Sequence, residues 1–451
     1  MVALAIAIEQ ARVSVARGAA PDALVKQLFI EALARLISEA MRAECGDPAL
    51  QAMVLRHRAP RVREYASLAA HADRDRRLIR VAVDAIAHPA KQERSPPGLQ
   101  RQALARLHAS ASSAAWSELA DTARRLLLMT EVSGDPALEP RLRRLVDSPA
   151  LGRLERLAAL GSDDLVQRYQ ALWDRQGPRS GTPAATAQGV AARQRGAAVE
   201  ALAAQALEAL ARRLNGTGPP APYRVVTSMR VPSSLSDHAG RTNGAKGEWD
   251  AVLLRQADTT DATPAWDVCL LVEVKASVDA ATTDFPRLQR GLRVLAQARN
   301  DRTYPFMTRQ GIVLLRGASL GALTADREDP GHRVLYCCDA PAEASPRLLS
   351  AASRMQLLST QASLAFASRL AENQPADPRD LESVWQQLLE SPRWHAVLHQ
   401  YVTLRHVRGL TVHIADLLAA IDGTAQGPRG PDGDMPEASL GQARASEGRC
   451  D

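Results

Sequence analysis

Lysine is scarce in this 451-residue chain: only Lys26, Lys91, Lys246 and Lys275 occur among 56 basic residues, leaving 52 arginines. The bias reflects codon composition and makes each retained lysine informative, because Lys offers a compact ammonium where Arg offers a planar guanidinium. Aromatic residues are also few, at 4%, so Ala, Leu and Val must fill the interior, as they do between packed helices. The five cysteines form no CxxC pair, which argues against a zinc ribbon or a disulfide framework and fits a reducing cytoplasm. Cys337 and Cys338 are expected as buried thiols at a strand end. No apolar run approaches membrane-spanning length. The opening "MVALAIAIEQARVSVARG" lacks a basic leader and meets Glu9 early, so it reads as a first helix and no membrane partner is expected.

What is present is a chain too long for one core, with 46% apolar residues and a net charge of +6 that permits a polyanionic partner without requiring one. Residues 1–173 show helical spacing, as in "ALVKQLFIEALARLISEAM", and almost no strand signal. "GDPAL" occurs at Gly46 and Gly134, but no constant period accompanies it, and Gly, Asp and Pro there read as a helix stop, cap and first turn. Residues 174–189, rich in Gly, Pro, Ser and Thr, read as a linker. Residues 346–423 return to helices, and the Gly- and Pro-rich tail 424–451 has the composition of a disordered segment.

Between them, residues 190–345 change character. A helix closed by Asn215 and Gly216 precedes "YRVVTSMRVP", "EWDAVLL" and "DVCLLVEVKAS", each of strand length. "DFPRLQRGLRVLAQA", with Pro286 in its first turn, reads as a second helix before the strands "GIVLLRG" and "HRVLYCC". Helix, three strands, helix, two strands describes an α/β core with a central mixed sheet, antiparallel at its start and joined by a crossover, between all-α flanks.

"CLLVEVKAS" carries the chemistry. Alternation puts Cys269, Leu271, Glu273 and Lys275 on one face of the strand and leaves Val272 and Val274 on the other. Burying both ions would cost several kcal/mol each unless a metal, a partner charge or a phosphate compensates. Asp250 in "GEWDAVLL" enters the preceding strand where a hairpin would bring it near Glu273. Two carboxylates beside a lysine suit a hard divalent cation, Mg2+ or Mn2+, and a phosphate.

"GEWD" followed by "VEVKAS" resembles the PD-(D/E)XK (restriction-endonuclease-like) nuclease superfamily over about Gly189 to Ala340. The resemblance implies metal-dependent hydrolysis of nucleic-acid phosphodiesters, with Asp250 and Glu273 as metal-binding acids, the Val274 carbonyl toward the metal, and Lys275 as the catalytic lysine. It offers Glu200, four residues after Gly196, as an auxiliary acid and Gln289 as the polar residue of the second helix. The family's Pro before the first acid is replaced by Trp249. Independently of the family, Glu200 lies at seven-residue spacing from Leu207 and Leu214, on the apolar stripe. Arg287, Arg290 and Arg293 are placed to follow a phosphate backbone, DNA being the favoured nucleic acid, while the helical regions offer surfaces for oligomerisation or a protein partner.

Three other readings stand beside this one. The charged trio can be a structural ion-pair network at a sheet edge, or a nuclease fold that binds nucleic acid or protein without cutting. A DAHP synthase-type barrel enzyme would need eight alternating strands and helices, which the helical first 180 residues do not supply. His395, His399, His406 and His413 fall at spacings of four, seven and seven, but Gly409 interrupts them, so they read as ordinary histidines on two helices.

Overall fold

The computed structural model describes residues 2–93, 97–133, 135–178, 182–217, 222–236, 244–257, 264–323, 333–340 and 348–423. The chain divides into two units, one formed by residues 1–195 and 343–408, the other by 196–342 and 409–451. Among the described residues of the first unit there are helices and no strand. None of the described helices is long and apolar enough to cross a membrane.

The division corrects the expected boundaries. Residues 346–423 are not a region of their own: helices Ala351–Leu358, Gln361–Ala371 and Glu382–Glu390 share a core with the amino-terminal helices. Phe29 and Trp385 meet there with ring centroids 5.2 Å apart. Apolar faces of both segments are buried in this one core, so packing joins segments far apart in sequence. The linker expected at 174–189 is helical from Pro183 onward, because the Ala-rich run "PAATAQGVAARQRGAAVEAL" sustains one helix, Pro183–Thr217, through Gly189 and Gly196. The unit boundary crosses this helix at Arg195. The tail 424–451 lies outside the described residues.

The second unit is mixed α/β. Its strands are β1 (Tyr223–Arg230), β2 (Glu248–Gln256), β3 (Ala265–Val274), β4 (Thr303–Thr308), β5 (Gly311–Arg316), β6 (Val334–Cys338) and β7 (Thr411–His413). They lie in the order β2-β1-β4-β5-β3-β6-β7, and β2 also pairs with β3. Five strands therefore close on themselves, a closure the resemblance does not imply, while β6 and β7 extend from β3 in parallel. Two strands exceed the expected number. Pro305 lacks a donor for the β4 ladder, and β7 has only three residues, so neither carries a usual strand signature.

Val272, Ala251, Leu253 and Cys337 form a core with Ala203, Ala206 and Leu207 of the long helix and with Ile414 and Leu417 of helix Ile414–Gly423. The crossover helix runs Val278–Ala296, capped by Ser277, whose hydroxyl accepts from the Ala280 amide at 3.2 Å. Pro286 consequently sits well inside it, not in the first turn as expected. Asn215 does not end its helix either. Its side chain accepts from the Tyr223 amide at 2.6 Å and donates to the Tyr223 carbonyl at 3.0 Å, tying the helix to the start of β1.

The histidine series is broken. Helix His395–Leu398, helix Gln400–Leu410 and β7 succeed one another. His395 and His399 stack with centroids 4.0 Å apart, and His413 belongs to the sheet.

Candidate active site

The site forms where β2 and β3 leave their common ladder. Their last paired residues at this end are Ala251 and Val272, which places Asp250 opposite Glu273. On the other side of β2, pairing with β1 passes from Thr227 and Ala251 to Met229 and Trp249. The skipped residue, Ser228, has φ 50°, a left-handed conformation a serine adopts only where the surrounding ladder imposes it. Asp250 is thus freed from both ladders, and its carboxylate Oδ2 accepts the Val274 amide at 2.8 Å. The β3 backbone is held on its far side as well, where the Lys275 amide donates to the Cys337 carbonyl at 2.9 Å.

Glu273 is 1% exposed. One of its oxygens, Oε1, accepts from Lys275 Nζ at 2.6 Å and also from Lys246 Nζ. The other, Oε2, is buried without a hydrogen-bond partner among the described residues. Burial first, and then the charge of Asp250, push the Glu273 carboxyl up to about 7, with the two lysines pulling against them. Burial opposes the charge on Lys275, but Glu273, Asp284 and Asp250 outweigh it and hold the ammonium above the usual lysine range.

Asp284 on the crossover helix completes the group. Lys275 Nζ lies 3.5 Å from its Oδ2, Tyr336 Oη donates to the same oxygen at 3.4 Å, and Arg287 lies 4.0 Å away. Tyr336 stands beside Glu273 in the β3–β6 pairing, and its phenol is pushed well above the usual range by burial and by these carboxylates. Glu200 is half-buried, and burial with the Asp250 charge raises its carboxyl while Arg309 pulls it back. The structure thus brings together Asp250, Glu273, Lys275 and the electrostatic reach of Glu200. Gln289 is half-buried and Arg293 exposed, whereas Arg290 is spent on the Gly244 carbonyl, to which it donates at 2.9 and 3.2 Å.

Lys246 and Asp284 are the residues that the motif did not name. Lys246 had one signal in the sequence, its rarity, the same that marks Lys275. Its position depends on Gly291 of the crossover helix, where an added Cβ would lie 2.8 Å from the Lys246 Cβ. The Lys246 amide donates to the Arg287 carbonyl at 3.2 Å, and its ammonium sits 5.6 Å from the centre of the Trp249 ring. Trp249, which stands where the family has proline, is fully buried beneath that charge.

Lys275 pairs with Glu273 and Asp284 and Lys246 with Glu273, while the charge of Asp250 acts on Glu273, Lys275 and Glu200, and Arg287 and Arg309 lie at the margin. Among the described residues no three His, Cys, Asp or Glu side chains form a group able to hold a metal on their own. A magnesium ion needs only one or two carboxylates, with waters and substrate oxygens supplying the rest. The unpartnered buried oxygen of Glu273 opposite Asp250 fits that smaller requirement. The described cysteines Cys45, Cys269, Cys337 and Cys338 are free thiols, and burial pushes Cys337 up to about 12, outside nucleophilic use near neutral pH. No protein-family model, curated protein or solved structure matches the chain.

Proposed function

We propose that the α/β unit is a PD-(D/E)XK-like, metal-dependent nuclease acting on nucleic acid, DNA by preference, in a reducing cytoplasm. The observation that carries this reading is Glu273: buried, opposite Asp250, bound by lysines through one oxygen and, among the described residues, without a partner at the other. Such a carboxylate is expensive to keep unless a ligand uses it. Asp250 and Glu273 would hold the divalent cation, with the Val274 carbonyl nearby, and the cation would neutralise phosphate charge and acidify a water.

Lys275 reaches the space in front of Glu273 with a fixed ammonium, suited to charge that builds on a phosphorane and to orienting a water. Asp284 pairs with that ammonium and in turn accepts from the Tyr336 hydroxyl. Glu200, whose carboxyl feels the Asp250 charge, would serve as an auxiliary acid. Arg287 and Arg293 offer exposed cations along the crossover helix for the phosphate backbone, with Gln289 between them. Arg290 is engaged by the Gly244 carbonyl and is a weaker candidate for that contact.

One observation favours a second reading, a nuclease-like fold that binds nucleic acid or protein without cutting: two lysines already meet the charge of Glu273. The two are separated by incubating the purified full-length protein with single- and double-stranded DNA and RNA in Mg2+, Mn2+ or EDTA, beside Glu273→Ala and Lys275→Ala. Cleavage that needs the metal and disappears in both variants supports the enzyme. Binding that persists in both, with every substrate intact, establishes the second reading instead.

A further inference from the structure

A carboxylate has about four lone-pair positions, two on each oxygen. At Glu273 both positions of Oε1 are taken by ammonium groups, from Lys246 and Lys275, and none of the described residues uses a position of Oε2. We infer that Lys246 is the residue that sets which divalent cation the site accepts, by restricting Glu273 to a single ligating oxygen. The inference rests on the metal-dependent reading above and extends it to a residue outside the motif.

Calcium takes six to eight oxygens and readily uses carboxylates through both oxygens, whereas magnesium demands near-octahedral geometry and is satisfied by single-oxygen contacts and water. A carboxylate with one oxygen closed therefore disfavours calcium more than magnesium or manganese. The closure is built rather than incidental. Lys246 is 5% exposed and cannot swing into solvent. Its backbone is held by the Arg287 carbonyl, its Cβ rests against Gly291, and the Gly244 carbonyl two residues before it accepts from Arg290. Its ammonium lies above Trp249.

The choice of lysine has a chemical reason. A guanidinium presents two parallel N–H donors and pairs with both oxygens of a carboxylate at once. Arginine at 246 would thus close Oε2 as well and remove the place for a cation. In a chain with 52 arginines, two of the four lysines converge on the same oxygen.

The test is calorimetric titration of the full-length protein with Mg2+, Mn2+ and Ca2+ in the absence of nucleic acid. Wild type, Lys246→Met, Lys246→Arg and Asp250→Ala are compared, with circular dichroism confirming that each is folded. The readout is the ratio of the Ca2+ to the Mg2+ dissociation constant, in which the general gain from deleting a positive charge cancels because it acts on both ions. Lys246→Met is expected to shift that ratio toward calcium by about tenfold, and Lys246→Arg to weaken all three ions by at least that factor. Should Lys246→Met not fold, Gly291→Ala, whose new methyl pushes Lys246 off its place, is expected to shift the ratio in the same direction. Asp250-dependent binding in wild type with an unchanged ratio in the folded variants overturns the inference and leaves the metal-dependent reading standing. Absence of binding in wild type overturns both.

Discussion

Substituting Lys246 should change how stability depends on pH more than it changes stability at any one pH below neutrality. The Glu273 carboxyl is raised from 4.5 to about 7, so between those values the folded protein holds more protons than the unfolded chain. Its contribution is therefore fully present below pH 4.5, declines as pH rises, and levels off above about 7. At about 1.4 kcal/mol per pH step, the decline amounts to about 3 kcal/mol. The plateau begins near 7 because the two lysines hold the carboxyl down against burial and Asp250. In Lys246→Met one of these restraints is absent, so proton uptake moves upward and the decline continues past 7 at the same slope. Near pH 6, where the wild-type carboxyl is itself mostly protonated, the variant loses little. Glu273→Gln removes the titration altogether, so its stability profile carries no such pH window. Hydrogen exchange of the β3 amides between pH 5 and 9, referred to the Glu273→Gln profile so that other carboxylates cancel, reads the α/β unit by itself. A Lys246→Met profile parallel to wild type above pH 7 would refute the reasoning.

Three further outcomes are expected. On the proposed metal-dependent reading the cation meets an ionised Glu273, so Mg2+ or Mn2+ affinity of the protein should rise with pH and flatten above about 7, measured by titration calorimetry; affinity independent of pH from 5 to 7 contradicts it. In the helical unit, Asp75 is 1% exposed and receives both Arg153 donors at 2.7 and 2.6 Å, which hold its carboxyl below the usual range. Its contribution is present above the usual 3.8 and is lost as pH falls below it, so Arg153→Ala should lower the urea midpoint at pH 7 more than Arg124→Ala, whose partner Asp121 is exposed, and the difference should shrink in acid. Phe29→Ala should cost about 3–5 kcal/mol and, because Phe29 packs on Trp385, should make residues 351–398 protease-sensitive together with the first helices.

The parts of the site legible in the sequence were those fixed by local periodicity. Asp250, Glu273 and Lys275 follow from strand alternation and one antiparallel pairing, and Glu200 follows from helical spacing within a single element. Lys246 and Asp284 did not emerge because their placement is made across the fold: a loop residue passes over Gly291, 45 positions later, and a helix residue meets a lysine from the end of β3. The same distinction governs the fold. The strands with apolar, β-branched sequences were readable, whereas β4 carries Pro305 and β7 is a three-residue strand paired in parallel with β6. The association of residues 351–398 with the first helices depends on which apolar faces find each other, which no local pattern encodes.

The return of the chain to the sheet at Thr411 has a consequence for the order of synthesis. Asp250, Glu273 and Lys275 emerge from the ribosome well before β7 and helix Ile414–Gly423, which pair with β6 and cover Val272, Ala251 and Cys337. Until residue 423 has been made, β6 presents an open strand edge and the apolar face behind Glu273 lacks part of its cover. The α/β unit can therefore complete its core only after the helices of residues 351–408 have been translated, so a ribosome stalled among them would hold a nascent unit with its site residues present and its sheet unfinished.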